Sequence, residues 1–239
     1  MLTQWSLIQA LLLLVLVPPL HALDSASAVK KVVLFDGELT DLWECREGSW
    51  IVDADGNLTC QMEEVVQKNG KKRLRGMGYL WTRQGFSDFV LELEYRLSKQ
   101  ANSGVFFRTD PNDPVQGGLE IQLLDNEGIR EANGKVDPKK QNVAFYDCQG
   151  PSLDASRAIG EWNHFRLSCR GPIMKIELNG KVVNEVDLRE WTESGKNPDG
   201  TQNKFKKAMS QSSPTGRIGF QNHGKQVWFR NVSIVNLGE

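Results

Sequence analysis

The chain lacks most of what marks a familiar enzyme. It has no GxSxG elbow, no HExxH, no phosphate-binding loop and no dinucleotide fingerprint, so the common esterase, zinc-protease, kinase and dehydrogenase signatures are absent. Histidine is scarce, with His21, His164 and His223 the only three in 239 residues. Net charge is missing too. Lys and Arg number 29 against 30 Asp and Glu, which denies the chain as a whole the basic field that attracts nucleic acid or anionic lipid without specificity. The partner expected is neutral, or is held by a few local groups. The four cysteines, Cys45, Cys60, Cys148 and Cys169, show neither a CxxC nor a Cys/His metal spacing, and no zinc site is expected. In an oxidising compartment they would permit two disulfides in any of three pairings. Cys169 alternates with Leu167 and Phe165, which suits a small buried hydrophobe equally well.

One stretch lacks charge altogether. Residues 2 to 23 carry no Lys, Arg, Asp or Glu, and Ala10 to Val17 is an unbroken apolar run. Pro18 and Pro19 end it, and small residues follow at Ala22, Ser25, Ala26, Ser27 and Ala28. Apolar core, breaker and small-residue zone describe a secretory signal over residues 1–28, cleaved after Ala22 or Ala28, although its start has no Lys or Arg. The remaining chain, 29–239, reads as a single domain that is secreted, periplasmic or attached to the cell envelope. No later segment is long enough to span a bilayer.

No long stretch keeps a helical period; the dominant period is two. Phe89, Leu91, Leu93, Tyr95 and Leu97 alternate with Val90, Glu92, Glu94, Arg96 and Ser98, as on a half-buried strand. Leu119, Ile121 and Leu123 alternate with Glu120 and Gln122, and Phe165, Leu167 and Cys169 with His164, Arg166 and Ser168. Met174, Ile176 and Leu178 run into Asn179-Gly180, a hairpin turn in which both central residues take positive φ. Roughly ten to twelve strands are expected, giving an all-β antiparallel sandwich or jelly roll. A short helix is expected between Thr201 and Met209. Two loops stand out. Lys68 to Arg75 concentrates Lys68, Lys71, Lys72, Arg73 and Arg75 at what reads as a solvated hairpin tip. Arg189 to Thr215 is long and polar, either a lid over a site or an ornament.

Period two also sorts the polar residues by face. Gly104, Phe106 and Arg108 are expected on one face of their strand, Glu120 and Gln122 on one face of the next, and Arg217, Gly219, Gln221 and His223 on one face of a third. Gly104 and Gly219 would leave room for a ligand to approach. Such faces, lining a curved sheet, make a polar groove suited to a sugar; an ordinary solvated sheet face has the same pattern. Of the histidines, His164 lies on a strand, whereas His223 sits at a turn between Asn222 and Gly224, where an imidazole can reach a cleft and move a proton.

At these segments the chain resembles the 3-keto-disaccharide hydrolase domain family. The matching stretches are Leu34-Phe35-Asp36-Gly37, Leu80-Trp81-Thr82, Asn102 to Arg108, Gly118 to Asp125, Glu161-Trp162-Asn163, Leu178-Asn179-Gly180, and Gly216 to Gly224 through Phe229-Arg230-Asn231. They fall in family order across residues 32 to 236. The resemblance implies a concanavalin A-like jelly-roll sandwich of two antiparallel sheets and action on glycosides oxidised at C3. A C3 ketone acidifies the C2 proton, so a base can remove it while the C1 substituent leaves, and water then adds to the glycal. Carried over by position, His223 and Glu120 become the base and acid candidates and Arg108 the group that holds the enolate. Asn102, Gln122 and Gln221 would position hydroxyls. No cofactor is expected, with a divalent metal on Glu120, Asp125 or His223 left open. Two other classes remain: a non-catalytic lectin-like module, which would use aromatic platforms and could spare His223 and Glu120, and a structural envelope domain.

Overall fold

The structure is a computed structural model and describes residues 30–238. The expected leader therefore lies outside the described residues. In chain order the strands are β1 (Lys31–Phe35), β2 (Trp43–Cys45), β3 (Trp50–Val52), β4 (Leu58–Cys60), β5 (Met62–Val66), β6 (Lys72–Gly76), β7 (Leu80–Phe86), β8 (Phe89–Leu97), β9 (Asn102–Thr109) and β10 (Leu119–Leu124). The helix α1 (Asn126–Asn133) precedes β11 (Asn163–Arg170), β12 (Ile173–Leu178), β13 (Lys181–Asp187), β14 (Gly216–Phe220) and β15 (Val227–Asn236).

Two antiparallel sheets face each other in a jelly-roll sandwich. The larger runs β13-β12-β11-β8-β15-β4-β3, with β1 also on β15, and the smaller runs β10-β9-β14-β7-β2. Period two explains the arrangement. On β8, Phe89, Leu91, Leu93, Tyr95 and Leu97 are buried while the residues between them are half-buried. One apolar cluster joins both sheets. Phe220 of β14 stacks on Phe229 of β15 with centroids 4.2 Å apart, and Trp43 and Trp50 close around Phe220. Rings buried this way each remove on the order of 150–250 Å² from water, the largest packing contribution a side chain makes.

Asn179 and Gly180 take φ of 51° and 78°, as the type I′ turn between β12 and β13 requires. Among the described residues fifteen strands form where ten to twelve were expected; the unexpected ones are β2, which is only three residues long, and β5 and β6, whose charged sequence shows no apolar alternation. The helix expected between Thr201 and Met209 does not form; only a 3₁₀ turn, Met209–Gln211, follows that stretch. The α-helix lies instead at Asn126–Asn133. Asp125 caps it by accepting from the Gly128 N–H, and Gly134 ends it with φ of 77°. The cysteines are free thiols, with Cys60, Cys148 and Cys169 buried and Cys45 partly so. Among the described residues no helix is long and apolar enough to cross a membrane.

Both conspicuous loops acquire definite forms. The basic segment is the tip and returning arm of a two-stranded ribbon, β5–β6, that pairs with no other strand. The segment 189–215 is fastened rather than loose. Asn197 accepts from Trp191 Nε1 and Asn203 Nδ2, and its own amide donates to the Asp147 carbonyl. Lys139 Nζ holds Asp199 at 2.7 Å. The long loop is a fixed wall.

Candidate active site

The outer face of the smaller sheet carries a cavity of ≈ 220 Å³. Three strands supply its floor by period two. Leu119, Ile121 and Leu123 of β10 enter the core, so Glu120 and Gln122 face outward, opposite Phe106 and Gly104 of β9. Ile218 and Phe220 of β14 do the same, which sends Gln221 and then His223 to the cavity. Asn102 opens β9, and its Oδ1 accepts from Gln122 Nε2 at 3.4 Å. Tyr79, Val115, Tyr146 and Lys204 complete the lining. Five of the six candidate residues therefore meet in one place: Glu120, Gln122, Asn102, Gln221 and His223.

Arg108 does not join them. The β9–β14 register slips between Arg217 and Gly219, which pair with Thr109 and Phe106, so β9 holds one extra residue there. Arg108 sits in that bulge with φ of 47°, and the alternation that would have aimed it at the groove is broken. Its side chain, 2% exposed, binds Asp88 at 3.1 Å. It also donates to the carbonyls of Ser87 and Gly171 at 2.9 and 2.7 Å. Arg108 ties the β7–β8 turn to the β11–β12 turn and does not line the cavity.

The two glycines have other occupants than a ligand. A Cβ at Gly104 would overlap the Glu120 carboxylate, and one at Gly219 would overlap the Trp81 ring. Gly104 is thus the recess in which Glu120 lies. Trp81 stacks on Tyr79 with centroids 5.2 Å apart, and Phe106 meets both edge-on. Trp81 and Phe106 are buried, so the cluster backs the part of the cavity wall that Tyr79 and Phe106 present.

Burial decides the electrostatics. Glu120 is 5% exposed, and desolvation lifts its carboxyl from 4.5 to about 7 despite the opposing pull of Lys204. Lys204 Nζ stands 3.6 Å from Glu120 Oε2 and 4.3 Å from the centre of the Tyr146 ring. The fixed wall positions it: the Lys204 N–H donates to Asp147 Oδ2, and Gln116 Nε2 donates to the Lys204 carbonyl. Burial likewise lifts the Tyr79 hydroxyl, against a hydrogen bond with Gln221, and the Tyr146 hydroxyl, against the charge of Lys140. His223 is exposed at the rim. Asp125, named for a metal, accepts from Gln100 and Gly128 N–H as a helix cap and does not line the cavity. The arrangement combines a carboxylate with proton affinity near neutrality, an adjacent cation, an imidazole and three amides. It can take up a proton, hold a developing anion and orient hydroxyl groups.

Residues 30–235 match the 3-keto-alpha-glucoside-1,2-lyase-like domain. The chain belongs to this family. A 3-keto-disaccharide hydrolase of Bacteroides thetaiotaomicron is 28% identical over 169 residues, covering 62% of this chain and 58% of that protein. The chain thus spans less than two thirds of that relative's length. A Parabacteroides distasonis protein provisionally named a glycosyl hydrolase superposes with a TM-score of 0.74 at 30% identity, over 87% of this chain and all of the other. A second from the same organism has a TM-score of 0.65 at 21% identity, over 87% and 94% of the two chains, and shares the fold.

In this member of the 3-keto-alpha-glucoside-1,2-lyase-like family, the sequence reading missed Tyr79, Tyr146 and Lys204. Tyr79 directly precedes the matched Leu80-Trp81-Thr82 and carried no signal of its own. Tyr146 stands in an irregular segment where no period applies. Lys204 lies in the long polar loop, whose length was the only hint.

Proposed function

We propose that the chain cleaves 3-keto-glycosides in this cavity by elimination and rehydration. The ionised Glu120 carboxylate removes the C2 proton, and the C2–H electron pair moves toward the C3 carbonyl. Lys204, beside Glu120 in the cavity, is the cation assigned to the enolate oxygen in place of Arg108. As the enolate re-forms the ketone, the C1–O bond breaks and the leaving alkoxide takes a proton, for which exposed His223 is the donor. Water then adds its hydroxyl to C1 and a proton returns to C2, so the net change is hydrolysis. Asn102, Gln122 and Gln221 hold the ring hydroxyls.

The observation that carries this reading is Glu120 itself. A general base works best with a proton affinity near the working pH, and burial brings this carboxyl to about 7. A carboxylate poised to take up a proton near neutrality favours proton transfer over sugar binding alone. The test is incubation of the protein with 3-keto-trehalose, 3-keto-sucrose and their unoxidised parents, following sugar release. Release from the keto sugars alone is expected. Binding of ordinary oligosaccharides with no turnover of any keto sugar would favour the lectin. The leader, with no charged side chain from residue 2 to 23, supports export, which would put the reaction outside the cytoplasm.

A further inference from the structure

The β5–β6 ribbon is not used by the cavity chemistry, and its surface is unlike the rest of the molecule. In an almost neutral chain, residues 62–76 hold five Lys or Arg against two Glu. Those glutamates are already engaged, Glu64 with Lys72 at 2.8 Å and Glu63 with Arg75 and Arg46. Lys68, Lys71 and Arg73 form no ion pair with a described residue. The ribbon also bears the two most exposed large aliphatic side chains among the described residues, Val66 at 67% and Leu74 at 59%. Register puts them together. Val66 faces Lys72 and Leu74 faces Glu64 across the ladder, so Val66 and Leu74 are diagonal neighbours on one face.

We propose that this ribbon docks the protein on an anionic lipid surface. Cations alone would fit any polyanion. Exposed Val66 and Leu74 single out a partner with an apolar interior behind its charges, and a bilayer with acidic headgroups is that partner. Each cation at such a surface raises partitioning roughly five-fold, and the gain fades with salt. The ribbon is rooted at the cavity rim. Asn222 Nδ2 donates to the Gln61 carbonyl at 2.5 Å, and Gly76 lies so close to Asn222 that a Cβ would overlap it. Docking would therefore hold the turn that carries His223 beside the lipid. The inference stands independently of the proposed reaction.

The experiment is co-sedimentation of the full chain with vesicles of pure phosphatidylcholine and vesicles containing a third phosphatidylglycerol. The readout is the excess bound to the acidic vesicles at low salt. The leader has no Lys or Arg and cannot supply that excess. Wild type is expected to show at least a ten-fold excess that 0.5 M NaCl abolishes. A Lys68→Glu, Lys71→Glu variant at the ribbon tip should lose it, and Val66→Ser, Leu74→Ser should reduce it several-fold. Equal binding to both vesicles by wild type overturns the proposal, and that arm needs no variant to fold. Acidic-vesicle binding unaffected by the serine pair overturns the lipid assignment in favour of a soluble polyanion.

Discussion

Glu120 shows how burial that equips a residue for chemistry also taxes the fold. Its carboxyl titrates near 7 in the folded chain and near 4.5 when unperturbed. Between those values the folded state keeps a proton that the unfolded state has released, so this group's contribution to stability falls as pH rises from about 4.5 through 7. Glu120→Gln removes that dependence. The melting temperature of the variant minus that of wild type is expected to be more positive at pH 8 than at pH 5, as thermal scans at both pH values would show. The same substitution should lower turnover of a 3-keto-glycoside at least ~100-fold, the usual loss when a general base is removed, and His223→Ala should do likewise. His164→Ala is the control, because His164 lies on β11 of the other sheet, near Glu94. Lys204→Met makes a finer distinction. Lys204 lowers the Glu120 proton affinity, so its loss should move the acidic limb of the pH–rate profile to higher pH while also reducing kcat. An unmoved limb would mean that another group is the base.

Among the elements, regular strands were readable in the sequence and interruptions were not. The alternation of β10 put Glu120 and Gln122 on the cavity face, and β14 did the same for Gln221, because each strand keeps its period of two between core residues. At Arg108 one inserted residue changed the outcome, and nothing in Phe106-Phe107-Arg108-Thr109 announces a bulge that only pairing with β14 reveals. The α1 helix was legible in principle from Asp125 and Gly134, but eight residues show too little period to compete with neighbouring strands. Lys204 was out of reach, since its position depends on contacts with Asp147 and Gln116 that are distant in sequence. The bulge leads to a prediction opposite to the one for a catalytic arginine. Arg108→Met should leave the Ser87 and Gly171 carbonyls without their donor and cost roughly 2–3 kcal/mol. Denaturant unfolding should register that loss, while kcat of the folded fraction stays within a few-fold of wild type.

At the scale of the whole molecule, the free buried thiols bear on how the chain is made. Desolvation raises Cys60 to about 11 and Cys169 to about 12, which keeps both as unreactive thiols at neutral pH. The folded protein should react with a thiol-alkylating reagent at Cys60 and Cys169 far more slowly than the denatured chain does, as peptide mass spectrometry of the labelled protein would measure. If the leader directs export, mass spectrometry of the mature pool should find an N-terminus between about residues 23 and 29. The order of the larger sheet adds a constraint on timing. β15 lies between β8 and β4 and also carries β1, so three earlier strands wait for a segment that begins at Val227. The middle of this sheet is thus supplied by the last strand in chain order among the described residues. The larger sheet therefore cannot close before Val227–Asn236 is available, and a chain cut before Val227 should leave β1, β4 and β8 without their shared partner.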